Sequence, residues 1–366
     1  MTGRERTLRA LSFQEVDRPP VAGGMVQNAA FLATCAGVDD FWDAPWETAF
    51  AAFRALGCDA VLGPVMPKRP ACTTTDAAGR PTDFTWAEAT PQLTTPEQVA
   101  AWAEAAPNPE EVRAGFDLDS ATADYLAQMR RGQVAAGEML YIPHCLGFAP
   151  AFPTSDGYFS YPAFLMACRL YPDRMRRLFD QWGEVSRLQC EAVARATEQH
   201  DLLRLIWIGQ DICDAKGPML SPALLEELYF PQVARAIEPL KAAGMKVIWH
   251  CDANYRLVLD RMIALGLDGF QGFYETEDGI RLQDLAARRT PDGRPLILFG
   301  SLSTVWVLPY GSPEDVRREV ERCVEAVGPQ GGLLLAPSSS IGPEVPQANL
   351  TALFAHATSY VPSWRQ

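Results

Sequence analysis

The sequence has little that would secrete, anchor or cross-link the chain. Its nine cysteines form no CxxC pair and no regular framework, which is typical of reduced thiols in the cytosol. No window approaches the roughly 18 consecutive apolar residues that a membrane-spanning helix needs. The opening stretch MTGRERTLRALSF is charged and lacks the apolar core of a secretory signal. We therefore expect a cytoplasmic protein without a membrane partner.

Positive charge is also scarce. The 366 residues include 32 Lys and Arg against 45 Asp and Glu, a net charge of −13. A surface this acidic repels phosphate backbones, so we expect no nucleic-acid partner. Hydrophobic residues make up 48% and charged residues 21%, which excludes disorder, collagen and coiled coil. The length suits two domains of roughly 150 residues or one large α/β barrel.

Short apolar runs alternate along the chain with segments of helical periodicity. The runs are 19–24, 58–65, 139–147, 202–212, 245–253, 267–274, 295–303 and 331–340. The clearest helical segments are 172–199, 221–243, 253–265 and 312–327, with helix starts at Ser221-Pro222 and Ser312-Pro313 and helix-ending glycines at Gly244 and Gly266. This alternation is typical of parallel strands joined by crossover helices. It predicts a (β/α)8 TIM barrel, with a doubly wound open sheet as the alternative.

Residues 66–136 interrupt this alternation. An Ala-Gly-Arg-Pro turn between threonine-rich arms predicts a β-hairpin, and 97–136 predicts helices. Because no repeat or low-complexity linker appears, we predict a single domain over 1–366 that carries this hairpin and helical elaboration.

The barrel prediction points to a site, because active sites of such barrels lie at the carboxyl ends of the strands. Polar side chains expected there are Gln27, His144, Asp211, His250, Asp252, Gln271, Tyr274, Glu275 and Ser339. The set is rich in carboxylate, imidazole, amide and hydroxyl groups and contains almost no Lys or Arg. Converging Asp211, His250 and Asp252 would provide an acid/base group or hold a metal ion.

Each of these residues also has a structural interpretation. Asp211 could cap the turn before Gly217-Pro218 by accepting backbone amides. His250 could be a satisfied structural group, and His144 could pack under a helix. Glu275 could be exposed to solvent. The serines around Ser339 could form only a tight turn, or their hydroxyls could bind a carboxylate or phosphate.

Four segments carry a resemblance to the uroporphyrinogen decarboxylase superfamily. They are IGQDICDAKGPMLSPALLEELYFPQVARAIEPLKAAGMKVIWHCDAN, LGLDGFQGFYETEDGIRLQDL, LFGSLSTVWVLPYGSPEDV and GGLLLAPSSSIGPEVPQANLTAL. They resemble the methyltransferase-like branch in particular, whose members move methyl groups between small substrates, thiols and corrinoid proteins. The resemblance implies a (β/α)8 barrel and a small-molecule substrate.

Two departures from the family pattern shape the functional prediction. The decarboxylase arginine loop is absent from Gly23–Asn28, and the loop after the second strand lacks the decarboxylase aspartate. The eight carboxylates of a porphyrinogen would also lie beside Asp211 and Asp252 without cationic partners, and burying unpaired like charges costs free energy of binding. We therefore do not expect uroporphyrinogen as the substrate.

The second departure concerns zinc. Related zinc methyltransferases carry His-x-Cys after the fifth strand and a second Cys after the eighth. Here Asp252 stands in the first Cys position and Ser339 is the closest match to the second. Cys251 falls between the ligand positions and is expected to point the opposite way. A zinc or harder divalent ion at His250 and Asp252 is the resulting expectation, with a metal-free acid/base pair as the alternative.

These observations together predict a methyltransferase that moves a methyl group between a small methylated substrate and a corrinoid carrier. His250, Asp211 and Asp252 are the expected catalytic residues. Gln27, His144, Gln271, Tyr274, Glu275 and Ser339 are the expected substrate-binding residues. A corrinoid protein and a second copy of the chain are the expected partners. The alternatives are a lyase or decarboxylase of a small carboxylated substrate and a non-catalytic ligand-binding barrel.

Overall fold

The computed structural model of the chain describes residues 1–67, 74–75, 81–82, 91–153, 158–273, 275 and 279–365. Its helices are α1 (Gly3–Leu11), α2 (Ala29–Ala36), α3 (Pro45–Ala55), α4 (Pro96–Glu104), α5 (Pro109–Gly115), α6 (Leu118–Ala136), α7 (Tyr161–Leu170), α8 (Pro172–His200), α9 (Pro222–Leu224), α10 (Phe230–Ala242), α11 (Leu259–Ala264), α12 (Leu282–Ala286), α13 (Val307–Tyr310), α14 (Pro313–Val327) and α15 (Gln347–Ala357). A π-helical turn, Leu225–Tyr229, joins α9 to α10. None of the described helices combines the length and the apolar character needed to cross a membrane.

All eight predicted strands are present in the structure. The strands are β1 (Ala22–Gly23), β2 (Ala60–Gly63), β3 (Thr74–Thr75), β4 (Pro81–Thr82), β5 (Leu140–Pro143), β6 (Leu205–Gly209), β7 (Lys246–Ala253), β8 (Gly269–Phe273), β9 (Ile297–Phe299) and β10 (Leu333–Leu334). Only β3 and β4 lie outside the predicted runs. The chain is therefore an α/β protein with parallel sheets, while closure of the strands into a barrel stays a prediction.

The chain divides into two compact units. Unit 1 comprises Met1–Thr85, Met129–His144 and Gly269–Gln366, and unit 2 comprises Trp86–Gln128 and Cys145–Asp268. Helix α6 runs across the division. The prediction of a single domain stays a prediction.

Unit 1 contains a run of parallel strands. Strands β5, β2 and β1 pair in that order, and β8, β9 and β10 form a second parallel group. The amide of Ala22 donates to the carbonyl of Leu335, 2.9 Å away, so β1 also pairs with the residue that follows β10. Every described residue of these strands is buried, as expected of parallel strands covered on both faces.

Unit 2 contains the parallel pair of β6 and β7 and most of the long helices. The register places Leu205 beside Lys246 and Gly209 beside His250. Helix α8 packs against α4, α5, α7 and α10. Within it, the fully buried Glu184 accepts hydrogen bonds from Arg113, Arg187 and Arg235 at 2.8 to 3.1 Å.

These arginines determine the charge state of Glu184. Burial alone would raise the pKa of the Glu184 carboxyl, but the hydrogen bonds and charge of Arg187 and Arg113 outweigh it and lower the pKa. The carboxylate therefore stays ionised while it ties three helices together.

The predicted helix boundaries hold in most places. Ser221 and Ser312 cap α9 and α14 by accepting amide hydrogen bonds, and Gly244 and Gly266 adopt the left-handed conformation that ends a helix. The prediction of a helix over 253–265 is wrong at its start. Strand β7 continues to Ala253, Asn254 accepts a hydrogen bond from the Arg256 amide in a turn, and α11 begins only at Leu259.

The described part of the interruption agrees with the prediction. Strands β3 and β4 pair antiparallel, with Thr74 beside Thr82 and Thr75 beside Pro81, as the arms of the predicted hairpin require, whereas residues 76–80, which include most of the predicted turn, lie outside the described residues. Helices α4, α5 and α6 follow, as the periodicity of 97–136 predicted. Proline at the first position and a reciprocal side-chain cap fix the starts of α4 and α5.

Candidate functional site

The site in unit 2 lies where β6 and β7 end side by side. Gly209 is the last residue of β6 and pairs with His250 of β7. A β-carbon on Gly209 would lie 2.2 Å from the carbonyl oxygen of His250, so only glycine fits this position without displacing the backbone. The close approach brings the residues after β6 next to His250.

The imidazole of His250 faces two carboxylates. Its Nε2 lies 3.9 Å from Oδ1 of Asp211 and 3.8 Å from Oδ1 of Asp252. These separations are too long for direct hydrogen bonds but within the range of an ion pair. The His250 side chain is only 11% exposed, against 39% for Asp211 and 32% for Asp252. The imidazole therefore lies beneath two carboxylates that solvent reaches.

The backbone of β7 holds the side chain of Asp211 in place. Oδ1 of Asp211 accepts a hydrogen bond of 2.7 Å from the amide of Asp252. The turn before Gly217 is capped by a different residue, since Oδ1 of Asp214 accepts the amides of Lys216 and Gly217 at 2.7 and 3.0 Å. The alternative role proposed for Asp211, capping this turn, therefore belongs to Asp214.

A tryptophan forms one wall beside the imidazole. The ring of Trp207 lies edge-on to that of His250, with centroids 6.0 Å apart and planes at 87°. Trp207 is fully buried in β6. The Trp207 ring therefore packs edge-on beside the imidazole.

Cys251 points away from this cluster, as its position in the strand predicted. It is fully buried, whereas Asp252 next to it is half-buried. Burial, and then the neighbouring Cys213 thiol, raise the pKa of Cys251 well above its ordinary value. This rise favours the neutral thiol over the thiolate, which is the form that acts as a nucleophile.

The donor set does not by itself make a metal centre. Within the part of the chain that the structure describes, no group of three or more His, Cys, Asp and Glu side chains is arranged to hold a metal ion. The metal at His250 and Asp252 therefore stays a prediction. The metal-free acid/base pair, which is the alternative interpretation, stays a prediction as well.

Gln271, one of the predicted residues of unit 1, is engaged in hydrogen bonds within that unit. Nε2 of the fully buried Gln271 donates to the carbonyl of Ser338 at 2.9 Å. The Ser338 hydroxyl lies 3.1 Å from that of Thr304, and Ser339 is half-buried beside it. These contacts favour a role in joining β8 to the loop that follows β10.

Glu275 is bound on both carboxylate oxygens. Arg322 donates to Oε1 at 2.8 Å and to Oε2 at 3.1 Å. The Ser301 hydroxyl and the Leu282 amide donate to the same group at 2.7 and 3.0 Å. With 19% of its side chain exposed, Glu275 is not the solvent-exposed residue of the alternative interpretation. A bidentate arginine pair favours a structural role over substrate orientation.

The remaining predicted residues fall in three different settings. His144 is exposed directly after β5, so the alternative that it packs under a helix is wrong. Gln27 donates to the carbonyl of Met66 at 3.2 Å and lines a cavity of about 360 Å³ in unit 1. Tyr274 lies outside the described residues.

Sequence analysis missed a larger cavity in unit 2. It has a volume of about 550 Å³ and is lined by Trp102, Ala151, Phe152, Pro153, Tyr158, Phe159, Trp182 and Gln210. Gln210 lies between Gly209 and Asp211, so one short segment contributes to this cavity and to the His250 cluster. The local signal for this cavity in the sequence is the adjacent pair Tyr158 and Phe159, which follows several prolines. Trp102 and Trp182 lie 80 residues apart, so their sequence positions do not indicate that they line one cavity.

Comparisons with known proteins agree with the fold. The family model described as uroporphyrinogen decarboxylase (URO-D) matches residues 161–360. Among solved structures, a methyltransferase from Methanosarcina mazei aligns over 98% of both chains with a TM-score of 0.60 and 17% sequence identity. No curated protein sequence matches the chain significantly. The structural likeness, at this identity, shows a shared fold.

Proposed function

This chain belongs to the uroporphyrinogen decarboxylase (URO-D) family, and from that premise we propose that it is a methyltransferase acting on a small methylated substrate, with a corrinoid as the methyl carrier. The fold shared with the methyltransferase from Methanosarcina mazei supports a methyl-transfer reaction. The family's barrel architecture, closed around the eight parallel strands, is part of the proposal.

The cluster of His250, Asp211 and Asp252 is the observation that carries the proposal. Removal of a methyl group leaves an electron pair on oxygen, nitrogen or sulfur, which a proton stabilises. Nε2 of His250 is the group that would hold that proton, and it lies within 4 Å of the Asp211 and Asp252 carboxylates. Asp211 keeps this arrangement in place by accepting the Asp252 amide.

A corrinoid would supply the site that receives or gives the methyl group. In the family branch that this chain resembles, the corrinoid belongs to a separate protein. We therefore propose a corrinoid protein as partner and a homodimer as the assembly. The protein's own residues bind the substrate, exclude water and hold the proton.

The test is a spectroscopic assay with matched variants. The purified chain, given methylcobalamin and candidate acceptors, is expected to produce cob(I)alamin, seen in its visible spectrum. His250→Ala and Asp252→Asn are expected to lower kcat/KM by roughly 10²- to 10⁴-fold, the usual contribution of a general acid or base. His356→Gln is the control, because the His356 imidazole lies 2.9 Å from the Glu321 carboxylate in unit 1 and is not one of the proposed catalytic residues.

Two results would contradict the proposal. One is the absence of demethylation with every acceptor class together with no binding of cobalamin. The other is full activity in the His250→Ala variant. Metal analysis of the active protein and of these variants tests the predicted ion at His250 and Asp252 separately.

A lyase or decarboxylase acting on a small carboxylated substrate is the second candidate, favoured by the description of the family model. In that reaction His250 would protonate the carbanion left by loss of CO₂. Turnover without any corrinoid and a pH profile that His250→Ala abolishes would support it.

A further inference from the structure

The aromatic cavity of unit 2 carries a more specific inference about the substrate. We propose that it binds a methylated ammonium group, so that the substrate of the proposed methyl transfer is a cation. That the bound cation is the substrate rests on the proposed function, whereas its binding to the cavity can be measured independently of that function.

The walls of the cavity are mostly aromatic. Ring centroids of Trp102, Tyr158 and Phe159 lie 5.1 to 5.5 Å from one another. Their planes are inclined at 58°, 80° and 82°, so the rings form a corner and not a stack. Trp182 adds a fourth ring, 6.3 Å from Phe159 and at 79° to it. Rings at these distances pack on one another edge to face, and as lining residues of the cavity they offer aromatic surface to which a quaternary ammonium group within about 6 Å is attracted.

The rings are accessible to a ligand. Trp102, Tyr158 and Trp182 are half-buried, unlike the fully buried aromatic side chains behind them such as Phe164 and Phe179. The cavity volume of about 550 Å³ lies within the range of roughly 300 to 1,000 Å³ that is typical of small-molecule sites. The cavity therefore has room for a small organic cation beside its aromatic walls.

Charge favours a cation over an anion. The described lining residues carry no charged side chain, and Gln210 is followed directly by the half-exposed Asp211. The whole chain has a net charge of −13. The Asp211 carboxylate and the overall negative charge attract a cation and repel an anion. An ammonium group in the cavity would lie on the segment that leads to the His250 cluster.

The test uses two ligands of nearly equal shape, choline and 3,3-dimethyl-1-butanol, in which a neutral carbon replaces the charged nitrogen. Titration calorimetry on the full chain, without corrinoid, is expected to show roughly tenfold tighter binding of choline. Equal or tighter binding of the neutral alcohol, or no binding of either ligand, would overturn the inference.

Variants locate the binding. Trp182→Leu is expected to remove the preference for choline, whereas Trp182→Phe retains part of it. If circular dichroism shows that Trp182→Leu does not fold, Tyr158→Leu and Tyr158→Phe replace this pair. Trp306→Leu is the control, because Trp306 is 61% exposed in unit 1. A preference that survives loss of the ring at both positions places the cation elsewhere and overturns the inference.

Failure of the inference and failure of the proposed function give different results. Choline binding without any methyl transfer contradicts the proposed function and leaves the cation site intact. Methyl transfer from a neutral methoxy compound, with no preference for the ammonium ligand, contradicts the cation site alone.

Discussion

The two units use polar side chains at the carboxyl ends of their strands in different ways. In unit 1, Gln271 and Glu275 donate to or accept from named partners within the unit. In unit 2, His250 lies beneath two carboxylates at distances too long for direct hydrogen bonds, and both carboxylates are reached by solvent. The unit 1 side chains therefore join segments of the fold, whereas the unit 2 cluster brings an imidazole and two carboxylates together where solvent and a small ligand can reach the carboxylates.

Substitution of Gly209 is expected to have the largest effect on stability. The absence of a side chain at this position is what lets β6 approach the backbone of His250 in the unit 2 cluster. In Gly209→Ala the new methyl group would meet the His250 carbonyl and amide at 2.2 and 2.4 Å. We expect the free energy of unfolding to fall by about 3 kcal/mol, together with loss of activity. Urea denaturation measures the first and the cobalamin assay the second.

Gly147→Ala is the matched control for this prediction. A β-carbon there would have no neighbour within 4 Å. A loss of stability in Gly209→Ala no larger than in Gly147→Ala would show that β6 and β7 separate easily, and the tight packing inferred around His250 would be wrong.

Removing the Glu275 carboxylate is expected to have a smaller effect of a different kind. Glu275→Ala leaves the Arg322 guanidinium, which is 38% exposed, without one of its two carboxylates. We expect the free energy of unfolding to fall by about 2 kcal/mol, with kcat/KM of the folded protein changed less than about twofold because no reacting group is touched. Thermal denaturation and the same assay provide the measurements.

The control is Glu314→Ala, which removes an exposed helical ion pair with Arg317 and is expected to change stability by less than about 0.5 kcal/mol. Unchanged stability combined with a loss of activity of about tenfold or more would restore Glu275 to the substrate-orienting role that sequence analysis predicted.

The smallest effect is expected at the amino-terminal helix of unit 1 and depends on pH. The hydrogen bonds from Arg6 to Asp17, at 2.6 and 2.7 Å, lower the pKa of Asp17 below its ordinary value. Because the pKa of Asp17 is lower in the folded state than in the unfolded chain, where it is about 4, the ion pair stabilises the folded state fully at a pH above about 4. That stabilisation is lost as the pH falls through the folded-state pKa. Asp17→Asn is therefore expected to cost about 1 kcal/mol at most at pH 7, because the carboxylate is half-exposed.

Denaturation of both proteins between pH 3 and pH 7 checks this sign. The difference in unfolding free energy between the original chain and Asp17→Asn is expected to shrink as the solution becomes more acidic. A difference that stays constant or grows toward pH 3 would contradict the assignment of the ion pair.

Local patterns predicted most of the secondary structure. Continuous apolar runs identified the eight parallel strands, and Thr-rich arms around Ala-Gly-Arg-Pro identified the hairpin, because these features depend on neighbouring residues. The convergence of Asp211, His250 and Asp252 also followed from position, since the carboxyl ends of adjacent parallel strands lie together. Their roles in a reaction stay predictions.

Partners that are distant in the sequence could not be predicted. Glu275 pairs with Arg322, 47 residues further on, and nothing near either residue indicates the pair. Asp211 and Asp214 are separated by only two residues, yet the path of the turn decides which of them accepts the backbone amides. The aromatic cavity joins Trp102 and Trp182 from different helices, which only tertiary packing reveals.

The 29 residues of α8 extend for about 43 Å at the rise of an α-helix. Their amide hydrogens, secured by packing on four other helices and by the Glu184 arginines, should be among the slowest in unit 2 to exchange with deuterium. Trp182 stands on this rigid support. A molecule that enters beside it would find its binding surface already in place, and little conformational entropy would be lost on association.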